Sequence, residues 1–336
     1  MHSSMLVAYL VHMLAYLVRM LASLVRVSAT PASTATGESA YEVLPSTGES
    51  AYEALRVAVF PWLRERRIRA DKELTAASRA GDWNANGRAP PQGMDGDFVA
   101  IAAGGFHSLA HRSDGGVACW GNNNRGQAPP DGVDGDFVAI AGGGHHSLAY
   151  RSDGSVACWG SNDDGEAPPD GVDGDFVAIA ASGDFSLALR RDGRVACWGA
   201  NHFGEAPPAG VPGDFVAVAA GTAHSLALRV DGSVACWGDN EYGEAPPDGV
   251  PGNFVAIAAG ARHSLALRVD GSVECWGDNR NGQAPPAGVP GDFVAIAAGE
   301  DYSLALRSDG NVECWGGYNF LGEAPPDGVT GPFGHV

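Results

Sequence analysis

Six copies of Cys-Trp-Gly punctuate this 336-residue chain, at Cys119, Cys158, Cys197, Cys236, Cys275 and Cys314, each 39 residues from the next. Around the fourth, in DGSVACWGDNEYGEAPP (231–247), a thiol, an indole, carboxylates and a diproline crowd into one short stretch. Such residues could build a zinc site, a disulfide framework or an acid–base pair, and each fails on spacing. Zinc needs paired ligands such as CxxC, and the chain has none. Disulfides would have to join equivalent positions of neighbouring units with Cα atoms within about 7 Å, so buried, reduced, structural thiols are expected. The histidine preceding serine, at His107, His146, His224 and His263, becomes Phe185 and Tyr302 in the other two copies. Phenylalanine replaces neither a metal ligand nor a catalytic base, so a packed aromatic position is expected. Asp163-Asp164 and the pair Asp134 and Asp136 lack the spacing of a calcium loop. No nucleophile elbow, phosphate loop or HExxH is present, so no catalytic, metal or cofactor site is assigned.

What repeats must be positioned by something that repeats. Units begin at Phe98, Phe137, Phe176, Phe215, Phe254 and Phe293. Each opens with a short apolar run, FVAIAAG in the first, followed by an alternating SLALR-like run, an Asp-Gly pair and a V-x-C-W run. Asp-Gly between two alternating runs signals a hairpin, because glycine tolerates the positive φ of the turn. Each unit therefore reads as three strands, and its tail, with Ala-Pro-Pro and Gly-Val, as a connection to the next, since diproline cannot donate to a central ladder. Units this small cannot bury both faces alone and must stack.

The stretch HSLALRVDGSVACWGDN (224–240), with FVAVAAG before it, resembles the repeat of the regulator-of-chromosome-condensation superfamily, whose members form seven-bladed β-propellers. The short unit is most similar to the three-stranded blades of bacterial beta-lactamase inhibitor protein II. The resemblance covers residues 98–332 and implies an all-β, seven-bladed propeller spanning 56–336. A degenerate seventh unit would come from the stretch before Phe98, where Val57-Ala58-Val59, Arg69 to Leu74 and Ala89-Pro90-Pro91 match fragments of the repeat. Six blades behind an unstructured leader is the alternative.

Upstream, residues 1–29 form an apolar leader with a seven-residue internal period over 5–27 and no acidic residue before Glu38. A cleaved secretory signal, a retained membrane anchor and an organellar presequence all fit it, and a cytoplasmic location would follow if it were incidental. Membrane contact is expected only through 5–27, if retained. Residues 30–55, with TGESAYE duplicated, read as a low-complexity linker. The 48 glycines and 21 prolines signal many turns and little helix. Net charge is −19, and from residue 81 onward twelve arginines and no lysine face 33 acidic residues. Phosphate backbones need the opposite sign, so direct nucleic-acid binding is disfavoured and a protein partner with a basic surface is favoured.

Comparison among the units locates the freedom to vary. If strands run up, down and up, the loop after the first and the loop after the third share one face, while the Asp-Gly turns lie on the other. Variation gathers in those two loops. It supplies Phe106, Phe203, Tyr242 and Phe320 as aromatic anchors and Arg125, Arg262 and Arg280 as charged ones, residue types that dominate interface hot spots. Free drift of solvated loops would leave the same pattern. The function expected is a non-enzymatic, monomeric protein-binding scaffold or adaptor. The resemblance also implies two alternatives: guanine-nucleotide exchange on a small GTPase, and inhibition of an enzyme. Exchange in the superfamily uses a β-wedge inserted in one blade, whereas the six clear units here differ in length by at most one residue.

Overall fold

Each blade is built from runs too short to stand alone, and its shape follows from which side chains alternate. The computed structural model describes Gly87 and residues 96–317. The leader, the linker, the expected seventh unit and Phe320 lie outside the described residues. The first blade comprises β1 (Phe98–Ala103), β2 (His107–Arg112) and β3 (Val117–Gly121). The second comprises β4 (Phe137–Gly142), β5 (His146–Arg151) and β6 (Val156–Gly160), and the third β7 (Phe176–Ala181), β8 (Phe185–Arg190) and β9 (Val195–Gly199). The fourth comprises β10 (Phe215–Ala220), β11 (His224–Arg229) and β12 (Val234–Gly238). The fifth comprises β13 (Phe254–Ala259), β14 (His263–Arg268) and β15 (Val273–Gly277), and the sixth β16 (Phe293–Ala298), β17 (Tyr302–Arg307) and β18 (Val312–Gly316). All six are separate three-stranded antiparallel sheets in sequential order.

Inside a blade the first pairing carries a bulge. Phe254 pairs with Arg268 and Ala256 with Leu267, leaving Val255 as the extra residue, and the other five blades repeat this register break. The bulge lets the phenylalanine ring turn inward beneath the arginine that ends the second strand. Arg268 lies 5.0 Å from the Phe254 ring centre, and Arg151, Arg190, Arg229 and Arg307 cover Phe137, Phe176, Phe215 and Phe293 in the same way.

The Asp-Gly hairpin is present, and its loop is three residues long. In the fourth blade the Gly232 N–H donates to the Arg229 carbonyl at 3.0 Å, Arg229 donates to the Ser233 carbonyl at 2.8 Å, and Gly232 has φ +91°. This is a turn closed by a left-handed glycine, with the Asp231 carboxylate accepting the Ser233 N–H at 2.8 Å. The diproline tail does more than connect. Val250 exchanges two backbone hydrogen bonds with Val234, at 2.8 and 2.9 Å, and four other blades do likewise, so the crossing segment occupies a fourth-strand position for a single residue pair.

The core lies between blades rather than within them. Along β14, Leu265 and Leu267 point toward the next blade and pack with Val273 and Cys275 against Phe293, Ile296 and Ala305. Ala266, on the opposite face of β14, packs backward against Leu226, Leu228 and Val234. The alternation of leucine with alanine thus gives every blade a large face and a small face, and stacking large on small fills each interface. Full burial of one such leucine contributes roughly 1.5–3 kcal/mol, which an isolated blade would forfeit. Among the described residues no comparable packing joins the sixth blade to the first.

Candidate functional site

The two variable loops of each blade are tied together at their roots. The Asp278 N–H donates to the Arg262 carbonyl at 2.8 Å, and the same bond joins Asn122 to Phe106, Ser161 to His145, Ala200 to Asp184 and Asp239 to Ala223. Both loops therefore emerge on one face, as the strand directions require.

The second loop is braced from within by its unvarying members. In the fourth blade the Asn240 side-chain oxygen accepts the Ala245 N–H at 2.9 Å, and the Glu244 carboxylate accepts the Tyr242 N–H at 2.8 Å. Glutamine does the same work in the fifth blade, where Gln283 accepts from Asn281 at 2.9 Å. Only an acceptor oxygen at that reach is needed, which accounts for the Gln/Glu alternation. Glu244 is nearly fully buried, and burial raises its carboxyl pKa above the ordinary range.

The backbone carbonyl of this Gln or Glu also receives the following blade. The Glu244 carbonyl accepts the Ser264 hydroxyl at 3.0 Å and the Trp276 indole N–H at 2.9 Å. Glu205 holds Ser225 and Trp237, Glu166 holds Ser186 and Trp198, and Gln127 holds Ser147 and Trp159 in the same way. The loop that bears the varying residues is thus anchored across a blade interface. The serine was not singled out in the sequence, although its presence in all six units, 12 residues before a tryptophan equally constant, was the available signal.

On this frame three of the expected binding residues meet. Arg280 lies 4.6 Å from the Tyr242 ring centre and Arg262 5.3 Å from it, so two guanidinium groups of the fifth blade flank a tyrosine of the fourth. Arg280 is held by Asp278, whose carboxylate accepts Nη2 at 2.6 Å. The hydrogen bond from Arg280 holds the largely buried Asp278 carboxyl below the ordinary range. Phe106 stands apart, stacked on His145 of the second blade at 4.7 Å. Arg125 pairs with Asp163 at 2.7 Å across the same boundary. Phe203 is 60% exposed. Asp184, beside them, has its carboxyl pKa raised by burial and by the neighbouring charges of Glu166, Asp164 and Asp163.

The opposite face offers a shallow hollow of about 280 Å³ lined by Arg112, Asp114, Asp134 and Asp136. Arg112 already bonds Asp114 and Asp134 there, at 3.1 and 2.8 Å. Among the described residues no group of three or more histidines, cysteines or carboxylates could share a metal ion, and no helix is long and apolar enough to cross a membrane. All six cysteines are free, and five are buried.

Six sheets stacked large face on small, each linked to the next by a loop carbonyl, define a β-propeller of three-stranded blades. The chain belongs to the regulator-of-chromosome-condensation family: the model of the Regulator of chromosome condensation (RCC1) repeat matches residues 98–127, 137–166, 176–205, 215–244, 254–283 and 293–323. Among solved structures the chain is similar to human WBSCR16, at 21% identity and a TM-score of 0.57 over 66% of this chain and 77% of that one. It is similar to yeast RCC1 (Prp20), solved with Kap60, at 22% identity and a TM-score of 0.55 over 66% and 70%. The ectodomain of the Arabidopsis thaliana receptor kinase ACR4 gives 23% identity and a TM-score of 0.52 over 66% and 79%. At these identities the likeness shows the fold alone. No curated protein matches the chain.

Proposed function

We propose that this propeller is a non-enzymatic scaffold that binds a protein through the face bearing the two variable loops, with Tyr242, Arg262 and Arg280 at its centre. The observation that carries this reading is the contrast inside each loop: fixed Asn, Gly and Gln/Glu residues brace the backbone, while the side chains between them differ from blade to blade. A pre-ordered tyrosine flanked by arginines loses little conformational freedom on binding, which favours it as a hot spot. Phe106, Arg125 and Phe203 would form the surrounding contacts, and the chain's net charge of −19 favours a partner with basic surface. Yeast RCC1 was solved bound to Kap60, and the same yeast protein was examined for binding to Gsp1p and histones, which supports protein recognition on this fold.

Affinity purification from the native source followed by mass spectrometry tests the reading. The wild-type chain should recover a partner that a Tyr242→Ala, Arg262→Ala variant loses, while an Asp231→Ala, Asp270→Ala variant on the opposite face keeps it. Retention by the first variant would show that the face is wrongly chosen. Family membership keeps nucleotide exchange as the second reading. The described blades run strand to strand without an inserted hairpin, so the β-wedge that exchange would use is not among them. Accelerated nucleotide release from any member of a small-GTPase panel would favour exchange over the scaffold.

A further inference from the structure

Four histidines lie on the blade interfaces and take no part in the loop face. His107 Nε2 is 2.7 Å from the Ser147 hydroxyl of the next blade, His146 2.9 Å from Ser186, His224 3.0 Å from Ser264 and His263 2.9 Å from Ser303. Each of these serines already donates its only hydroxyl hydrogen to the loop carbonyl of the preceding blade, so it can only accept from the histidine. That fixes the neutral tautomer with hydrogen on Nε2. The other ring nitrogen, Nδ1, is buried and meets no hydrogen-bond partner in any of the four. Adding a proton there would put a full charge and an unsatisfied donor inside a closed interface.

We propose that the His–Ser contacts make the seal between adjacent blades acid-labile at four interfaces, and that the interface between the third and fourth blades is exempt because Phe185 stands in place of histidine.

The surroundings decide the direction. His107 is faced by His146 and His145 from the second blade, both of which oppose its protonation. His146 is faced by His145, which opposes, and by Glu166, which favours it. His224 is faced by His263 and, from the loop after β12, by Asp239. His263 is faced by Asp278. Burial outweighs the carboxylates in every case and holds all four imidazoles at about 4. At the interface of the fourth and fifth blades the consequence is local. His224 bonds Ser264, Ser264 bonds the Glu244 carbonyl, and Glu244 braces Tyr242, whose two arginines belong to the fifth blade. Opening this seal would part Tyr242 from Arg262 and Arg280; only this last consequence for partner binding rests on the protein-binding reading.

Hydrogen–deuterium exchange of the full chain, measured at pH 7 and pH 4.5, tests the seal without reference to any partner. Exchange is corrected at each pH for the intrinsic rate. In the wild type, protection at the second-to-third, fourth-to-fifth and fifth-to-sixth interfaces should fall about tenfold or more between the two conditions, while protection of the Phe215 amide, which bonds the Gly193 carbonyl across the third-to-fourth boundary at 2.9 Å, should change little. The first-to-second interface is set aside because His111, also buried, shares it. In His224→Phe the fourth-to-fifth interface alone should become acid-resistant, and His263→Phe should do the same for the fifth-to-sixth, so the test survives if one variant folds poorly. A uniform loss at all interfaces, or an unchanged acid response in both variants, would overturn the proposal. Partner capture at the two pH values is read separately: acid opening with undiminished capture would count against the choice of binding face and leave the seal intact.

Discussion

The indole N–H of Trp276 donates to the backbone carbonyl of Glu244, 32 residues earlier and one blade away, at 2.9 Å. The same carbonyl takes the Ser264 hydroxyl, so one acceptor ties two strands of the fifth blade to the loop of the fourth. Replacing Ser264 with alanine removes one donor from this carbonyl and the acceptor of His224 Nε2. The expected loss is about 1–3 kcal/mol for the buried polar group left unpaired. Urea unfolding of the variant should show a lower midpoint, and Ser113→Ala, in an exposed turn, should show almost none of the loss.

Glycine is required at some loop positions for two distinct reasons, and a pair of substitutions separates them. Gly243 has φ +87° with open space around a would-be side chain, so Gly243→Ala should carry only backbone strain, about 1–2 kcal/mol. Gly232 has φ +91°, and a methyl there would meet the Gly252 carbonyl at 3.1 Å and the Phe254 nitrogen at 3.3 Å in the next blade. Gly232→Ala should therefore unfold at lower denaturant than Gly243→Ala. Equal midpoints would mean that the turn does not press on its neighbour.

The cysteines should be inert in the native chain. Burial pushes the thiols of Cys119, Cys158, Cys197, Cys236 and Cys275 up to about 12, and that of the half-buried Cys314 to about 11. Thiolate is the reactive form. Brief iodoacetamide treatment at pH 8, read by peptide mass spectrometry, should label Cys314 before any other, and all six should react at once in denaturant.

Stability should fall on mild acidification. The four interface histidines protonate near 6.5 when unfolded and only at about 4 when folded. Between those values the unfolded chain binds more protons, so their contribution is fully present above pH 6.5 and is lost as pH falls toward 4. Each histidine can remove about 3 kcal/mol across that window. Asp270 and Asp278, whose carboxyls lie below their ordinary range, lose their contribution only beneath pH 3.8. A midpoint of thermal unfolding that is flat from pH 7 to 5 would contradict this window.

Much of this propeller was legible because the chain is its own alignment. The 39-residue spacing of Cys-Trp-Gly, the Leu/Ala alternation and the Asp-Gly pairs fix strand boundaries, hairpin positions and the face on which Tyr242 and Arg280 emerge, since strand periodicity and turn chemistry are local properties. The pairing of Val234 with Val250 was hidden because a single bridge leaves no periodic trace, and the diproline beside it reads as connection.

What only the tertiary structure decided lies between blades. The histidines read correctly as packed aromatic positions, but their bonds to serines 40 residues away could not be seen in one unit. Nor could the meeting of Tyr242 with Arg262 and Arg280 be read from loops that are separate in the chain. A repeat sequence specifies its unit through neighbours one to four residues apart. The contacts that join adjacent blades, and those that bring Tyr242 to Arg262 and Arg280, are made between units, and they exist only once large face is stacked on small.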